Sequence, residues 1–322
     1  EEISLFLNKD YNVIVYCQII GKGKPLIKKW NNITLIHIFT KNMSAKETII
    51  FDFKSIIHSL KFKGIFLVLG YNTAVLNLLH FIFNKKIIFN MDGMEWKRKK
   101  WSFIQKVWLY INQYFAILIA KKIIADHPVI YDYYLSKTAK SKISMIPYGA
   151  HENNYKIIKL NKIIDHQPYV LVLARIEPEN QILDIITAYL NSKKKFSIFI
   201  VGSFDKSIEY HKKILNISSA SKKVHFLGSE YDKKKLFSLR KNAAFYIHGH
   251  TVGGTNPSLI EAMAAGCAII AHDNVFNRWV LGDGGLYFKS TQDLSDIFDK
   301  YKSNEKIKRH LSERSFNRYK KM

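Results

Sequence analysis

Between His248 and Ile270 the sequence runs HGHTVGGTNPSLIEAMAAGCAII. The order of residue types predicts a strand end, a loop, a helix and a buried strand. Gly253 and Gly254 would let the backbone come close to a ligand, and Pro257 with Ser258 opens the helix directly after Thr255 and Asn256. The N–H groups and partial positive charge of a helix N-terminus then make an anion seat, suited best to a diphosphate. Glu261 lies one turn further in, where its carboxylate could hold a sugar hydroxyl beside that diphosphate. His250, inside the loop, is the stronger histidine candidate. For a glycine pair taken alone, an ordinary turn and helix start would be the bland alternative.

Two other segments carry charge to strand ends. In ARIEPEN, Arg175 follows the apolar run YVLVL, and an arginine there can pair with two phosphate oxygens at once. Glu177, Glu179 and Asn180 follow; the bland alternative is a helix start with acids placed for its dipole. Gly202, after FSIFIV, makes a further turn at the same edge. In NMDGMEWKRKKW, Asp92 and Glu95 could orient or deprotonate an acceptor hydroxyl. Their spacing fits a capping box equally well. Trp96, Lys97, Arg98, Lys99, Lys100 and Trp101 form a basic-aromatic cluster before a helix rich in aromatic residues, and such a face could dock on anionic lipid. The alternative is a solvated turn. Asp126 and Pro128 read as a helix start, and His127 as structural.

These residues need a frame to hold them. Apolar strand-like runs alternate with helical stretches: 12–17, 33–39, 65–69, 86–89, 122–125 and 142–146, then 169–173, 196–201, 224–227, 243–247 and 268–271. Such alternation predicts an α/β protein with parallel sheets. Residues 1–150 read as one Rossmann-like domain, 151–167 as a polar linker, 168–290 as a second α/β domain and 291–322 as a charged helical segment. Two such domains would face each other across a cleft, with ligands outside the carboxyl ends of the strands. Residues 1–8 look like a helix already under way, whereas a nucleotide-binding α/β domain opens with a strand and a Gly-rich turn. The expectation is that this first strand is missing. The apolar run Gly64–Phe83 is interrupted by Gly70, Tyr71, Asn72 and Thr73, and reads as strand, turn and helix, not as a membrane span.

The 322 residues carry 50 Lys+Arg against 26 Asp+Glu, a net charge of +24. That balance suits an anionic partner, and an anionic membrane surface fits better than nucleic acid, for which no module is visible. Lysines spread through both halves also point to compositional drift. Cys17 and Cys267 sit in apolar runs and read as buried free thiols in a reducing compartment. The twelve histidines show no metal-ligand spacing with cysteine. No signal peptide is apparent.

DGMEWKRKKW, ARIEPEN and HTVGGTNPSLIEAMAAG, in this order, resemble bacterial rhamnosyltransferases of capsule and cell-wall polysaccharide assembly, in retaining glycosyltransferase family four. The resemblance implies a GT-B fold and runs over nearly the whole chain. Family members usually begin with a strand and a loop ending in Gly-Gly-Phe-Glu; this chain starts just after that point. Many also carry two glutamates eight positions apart. The second matches Glu261, but the first falls at Gly253. The arginine of their diphosphate clamp matches Arg175, whereas the lysine falls near Asn180. The rhamnosyltransferase group shares both departures, and a deoxy sugar offers fewer hydroxyls to bind.

The resemblance therefore implies transfer of L-rhamnose from dTDP-rhamnose to a lipid-linked saccharide, with retention and without a metal or other cofactor. Arg175 would stabilise the leaving group, with Glu177, Asn180, Gly202, His250, Gly253, Gly254, Thr255, Asn256 and Glu261 around the donor. Asp92 and Glu95 would face the acceptor. The expected location is cytoplasmic, peripheral to the inner face of the cell membrane. Three alternatives stay open: a UDP-hexose donor, a nucleotide-sugar epimerase of the same architecture, and a non-enzymatic basic scaffold.

Overall fold

The computed structural model describes residues 2–98, 100–151, 155–160, 168–193, 196–300 and 305–322. Lys99 and most of the 151–167 linker lie outside the described residues. Contacts divide the chain into two units: residues 1–92, 103–124 and 135–144 form the first, and 93–102, 125–134 and 145–322 the second. Two excursions of the N-terminal half, 93–102 and 125–134, thus belong to the second unit.

In the first unit, helix α1 (Glu2–Leu7) precedes strands β1 (Ile14–Ile20), β2 (Leu26–Trp30) and β3 (Ile33–Thr40). β3 pairs in parallel with β1 and antiparallel with β2. Helix α2 (Ala45–Ser59) leads to β4 (Ile65–Leu69), a 3-10 turn at Ala74–Asn77 and helix α3 (Leu78–Ile82), so the interrupted apolar run is not one span. β5 (Lys86–Asn90), helix α4 (Phe103–Ile119), β6 (Lys122–Ala125) and β7 (Ile143–Met145) complete a second sheet in the order β4-β5-β6-β7. Helix α5 (Pro128–Leu135) follows β6. The β2 hairpin was not legible, because LIKKW is mostly solvent-exposed and lacks an apolar run.

The second unit holds a six-stranded, all-parallel sheet. Its strands are β8 (Tyr169–Leu173), β9 (Ser197–Val201), β10 (Val224–Gly228), β11 (Phe245–His248), β12 (Ile269–His272) and β13 (Gly285–Phe288). YVLVL and SIFIV are continuous apolar runs because both faces of a parallel sheet are covered. Val170, Val172, Ile198 and Ile200 face one hydrophobic core, while Leu171, Phe199, Val201 and Ile269 face the other. Helices Thr291–Lys300 and Glu305–Lys320 close the unit.

Candidate functional site

The strand order β10-β9-β8-β11-β12-β13 reverses between β8 and β11. Connections leave in opposite directions on either side of that junction, which opens a crevice at the strands' carboxyl ends. Arg175 lies two residues beyond β8 and His250 two residues beyond β11. Gly202 directly follows β9 and donates its amide to Gly228 O at 2.9 Å. A Cβ at Gly202 would collide with the Ala174 carbonyl, so close strand-end packing accounts for this glycine.

Asn180 joins the two strand ends. Its Nδ2 donates to Arg175 O at 2.8 Å, which orients the amide so that Oδ1 accepts from His250 Nδ1 at 2.7 Å. The His250 ring is buried. Burial first, and then the positive charges of Arg98 and Arg175, push its pKa down to about 4. A neutral ring that donates from Nδ1 presents a lone pair at Nε2. Nε2 points toward Gly253, where an added Cβ would stand 3.4 Å away. Gly253 has φ +98°, a left-handed conformation that excludes most side chains. An acid at this position would be strained.

Cations and carboxylates interleave beside this histidine. The Arg175 side chain is 63% exposed, with Nη1 at 3.4 Å from Glu177 Oε1. Lys100 Nζ lies 3.6 Å from the same oxygen. Arg98 is only 13% exposed; its Nε meets Glu95 Oε1 at 3.0 Å and its Nη1 meets Glu179 Oε1 at 3.6 Å. Burial pushes both Glu177 and Glu179 up. At Glu177 the guanidinium of Arg175, followed by Lys100, outweighs burial and holds the carboxyl below its ordinary value. At Glu179 burial prevails over Arg98, and the carboxyl sits above it.

The loop before helix Pro257–Ala264 differs from the expectation in one respect. Asp126 Oδ2 accepts from the Thr255 amide at 2.8 Å, and the Thr255 hydroxyl donates to Asp126 O. The Gly254 α-carbon packs so closely on the Asp126 carboxylate that a Cβ would overlap it. Thr255 is therefore held by a carboxylate already present, not left open for a diphosphate. Asn256 caps the helix, its Oδ1 accepting from Ser258 N at 3.0 Å. Glu261 is half exposed and paired with the buried Arg240 guanidinium.

Asp92 is exposed, with φ +53°, and its amide donates to Asn90 Oδ1 at 3.2 Å. No capping box forms, since the 3-10 turn Glu95–Lys97 begins after Met94. Glu95 is buried and engaged by Arg98 and by Trp101 Nε1 at 3.4 Å, so it faces its own loop. The membrane-facing reading of Arg98 is corrected: it turns toward the buried Glu95 and Glu179, because a buried carboxylate demands a partner, while the exposed Lys100 pairs with the half-buried Glu177. Lys97 stays exposed, 5.3 Å above the Trp96 ring. His127 is fully buried between Phe276 and Trp279, at 5.1 and 4.8 Å, in the structural role expected of it.

Three contributions were missed. Arg98 stands near the glycine loop, with Nη2 at 3.9 Å from a Cβ built on Gly253. Asp126 reaches Thr255 across 129 positions. Asn274 and Asn277 both donate to His250 O, at 3.0 and 2.9 Å, and hold the loop's backbone. The sequence places Arg98 in the basic cluster and Asp126 at a helix start, and Asn274 is the cap of helix Val275–Leu281. Among the described residues no group of three or more His, Cys, Asp or Glu could hold a metal ion.

Fold and crevice together define a glycosyltransferase with a GT-B fold. The glycosyl transferases group 1 family matches residues 154–318, just over half of the sequence, and the chain belongs to it. Residues 4–151 match a domain of unknown function, DUF1972. No curated protein matches. The fold is similar to that of sucrose-phosphate synthase from Thermosynechococcus elongatus, with TM-score 0.83 at 14% identity over 99% of this chain and 86% of that one. It is also similar to HepE from Anabaena, solved in complex with UDP-glucose, with TM-score 0.71 at 14% identity over 90% and 82%. An α,α-trehalose-phosphate synthase (UDP-forming) from Burkholderia vietnamiensis gives 0.72 at 8% identity over 96% and 90%.

Proposed function

We propose that the chain transfers L-rhamnose from dTDP-rhamnose, with retention, to a lipid-linked saccharide in polysaccharide synthesis, and works at the inner face of the cell membrane. The observation that carries the donor reading is Gly253. Its left-handed backbone would strain the second acid that a fully hydroxylated sugar would use. A deoxy sugar makes less demand there. Arg175, exposed at the switch point, would meet the charge that develops on the leaving diphosphate, the kind of electrostatic contribution that usually dominates such catalysis. Asn256 would face the same group, although the amides of Ser258, Leu259 and Ile260 are taken by Asn256 itself, and Glu261 would face the deoxyribose. Asp92, which is exposed, is proposed on the acceptor side, whereas the buried Glu95 holds Arg98 and Trp101 in place.

A UDP-hexose donor is the second reading, favoured by the HepE structure with UDP-glucose. Calorimetric titration with dTDP-rhamnose, dTDP, UDP-glucose and UDP decides between them. Tighter binding of the dTDP compounds supports the first reading, and tighter binding of the UDP compounds replaces it. Product release that needs no acceptor would instead mark an epimerase.

A further inference from the structure

Helix α4 is apolar on both of its faces. Its inward face packs Leu109, Ala116, Ile117 and Ile119 together with Asn112 and Gln113, the two polar side chains having no exposed surface. Asn112 Oδ1 accepts from Val75 N at 2.9 Å and its Nδ2 donates to Trp108 O at 2.9 Å, so a polar side chain anchors the packed face. The outward face carries Ile104, Val107, Trp108, Ile111, Tyr114 and Leu118, at i, i+3, i+4, i+7, i+10 and i+14, all on one side of the helix. Ile104 is 80% and Leu118 68% exposed. Neighbouring α3 ends in Phe81 and Ile82, with Phe83 directly after it, each more than half exposed. Contiguous apolar surface of this kind marks an interaction site.

Charge selects the partner. From Phe53 to Ala125 the sequence carries twelve Lys/Arg and only two acidic residues, Asp92 and Glu95. Lys142 Nζ reaches the carbonyls of Ile117 and Leu118 at 2.5 and 3.2 Å at the helix end, and Lys137 lies 5.8 Å from the Tyr114 ring centroid. No helix among the described residues is long and apolar enough to cross a membrane. An apolar face with basic surroundings, too short to span, is the chemistry of a helix lying in a lipid interface.

We propose that the outward face of α4, flanked by Phe81–Phe83, is the surface by which this protein docks on an anionic bilayer. The basic cluster at 97–100 then has a secondary part, since Arg98 and Lys100 are engaged with glutamates. This inference rests on the membrane-side location in the proposed function, and the test separates the two. Co-sedimentation uses phosphatidylcholine vesicles with and without phosphatidylglycerol, on the parent and on the triple variant Ile104→Glu, Ile111→Glu, Leu118→Glu. The parent should bind phosphatidylglycerol vesicles, and the variant should lose roughly tenfold or more in partitioning. Its dTDP binding should not change and its melting temperature should fall little, because Ile104 and Leu118 stand mostly in water and Ile111 about half so. In the parent, bromolipid should quench fluorescence that Trp108→Phe removes, a readout that needs no folded triple variant. Equal vesicle binding by parent and triple variant overturns the surface while leaving the membrane location standing. A parent that binds no vesicle overturns both. A parent dimer in sedimentation velocity that the variant abolishes assigns the face to a second copy and overturns the lipid surface.

Discussion

The two units cover their apolar residues to different extents. In the second unit every residue of β9 is buried, as are all but one of β8, and the charged groups gather where the strands end. In the first unit β4 alternates exposed and half-buried residues, with Leu69 69% exposed, and α4 turns isoleucine and tryptophan outward as well as burying Leu109, Ala116, Ile117 and Ile119 beside asparagine and glutamine. A sheet covered on both faces is a rigid mount, which suits a site whose donors must be held in place. A unit that leaves apolar surface in water gives up that burial within itself, and gains only when something else covers it.

The sharpest test of the contrast is stability. Ile270→Ala, in the doubly covered β12, should cost about 2–5 kcal/mol in urea unfolding, from lost transfer energy plus a cavity. A cost near zero would mean that this core is loosely packed. Arg175→Ala should leave melting nearly unchanged, because the side chain is mostly in solvent, while lowering turnover roughly 100- to 1000-fold. Near-normal turnover in the purified variant would remove Arg175 from the leaving-group role.

Glu261→Gln is a smaller change that probes the same crevice. It should weaken dTDP affinity about tenfold and also lower melting, because the buried Arg240 guanidinium loses its charged partner. If melting drops and affinity holds, the Arg240–Glu261 pair is structural. At the low end, Leu69→Ala in the exposed β4 face should lie within about 0.5 kcal/mol of the parent. A larger loss would show that this face is covered in solution.

Acid should act through buried histidines in both units. His250 and His127 in the second and His80 in the first are held down to about 4, and His248 to about 3, in each case chiefly by burial. Between the ordinary value of 6.5 and these lowered values the unfolded chain binds protons that the folded chain refuses. Stability from these groups is therefore complete above about 6.5 and is lost as pH falls toward 4. Melting temperatures recorded from pH 7.5 to 4.5 should fall below about 6.5, and His250→Gln should flatten part of that decline. A profile already flat in the parent would contradict the burial of these rings.

How far the sequence alone reached can be seen strand by strand. Lys122–Ala125 and Tyr169–Leu173 stand where their apolar runs predicted them, because a buried strand needs a short β-branched or leucine-rich run and little else. Helix Pro257–Ala264 was legible from Asn256, Pro257 and Ser258, since capping is a local interaction. The exposed β2 hairpin carried no such pattern.

The sequence by itself thus determined the α/β alternation, the glycine loop and the charged residues after β8, all of which depend on neighbours a few positions away. Only the tertiary structure decided that Asp126 occupies the Thr255 amide, that Arg98 turns inward to Glu179, and that Asn112 and not Ile111 is the packed side of α4. Those outcomes depend on which distant group arrives to satisfy a donor, a charge or an apolar face. A helix that is apolar over most of its surface does not encode, in its own periodicity, which side its sheet will cover.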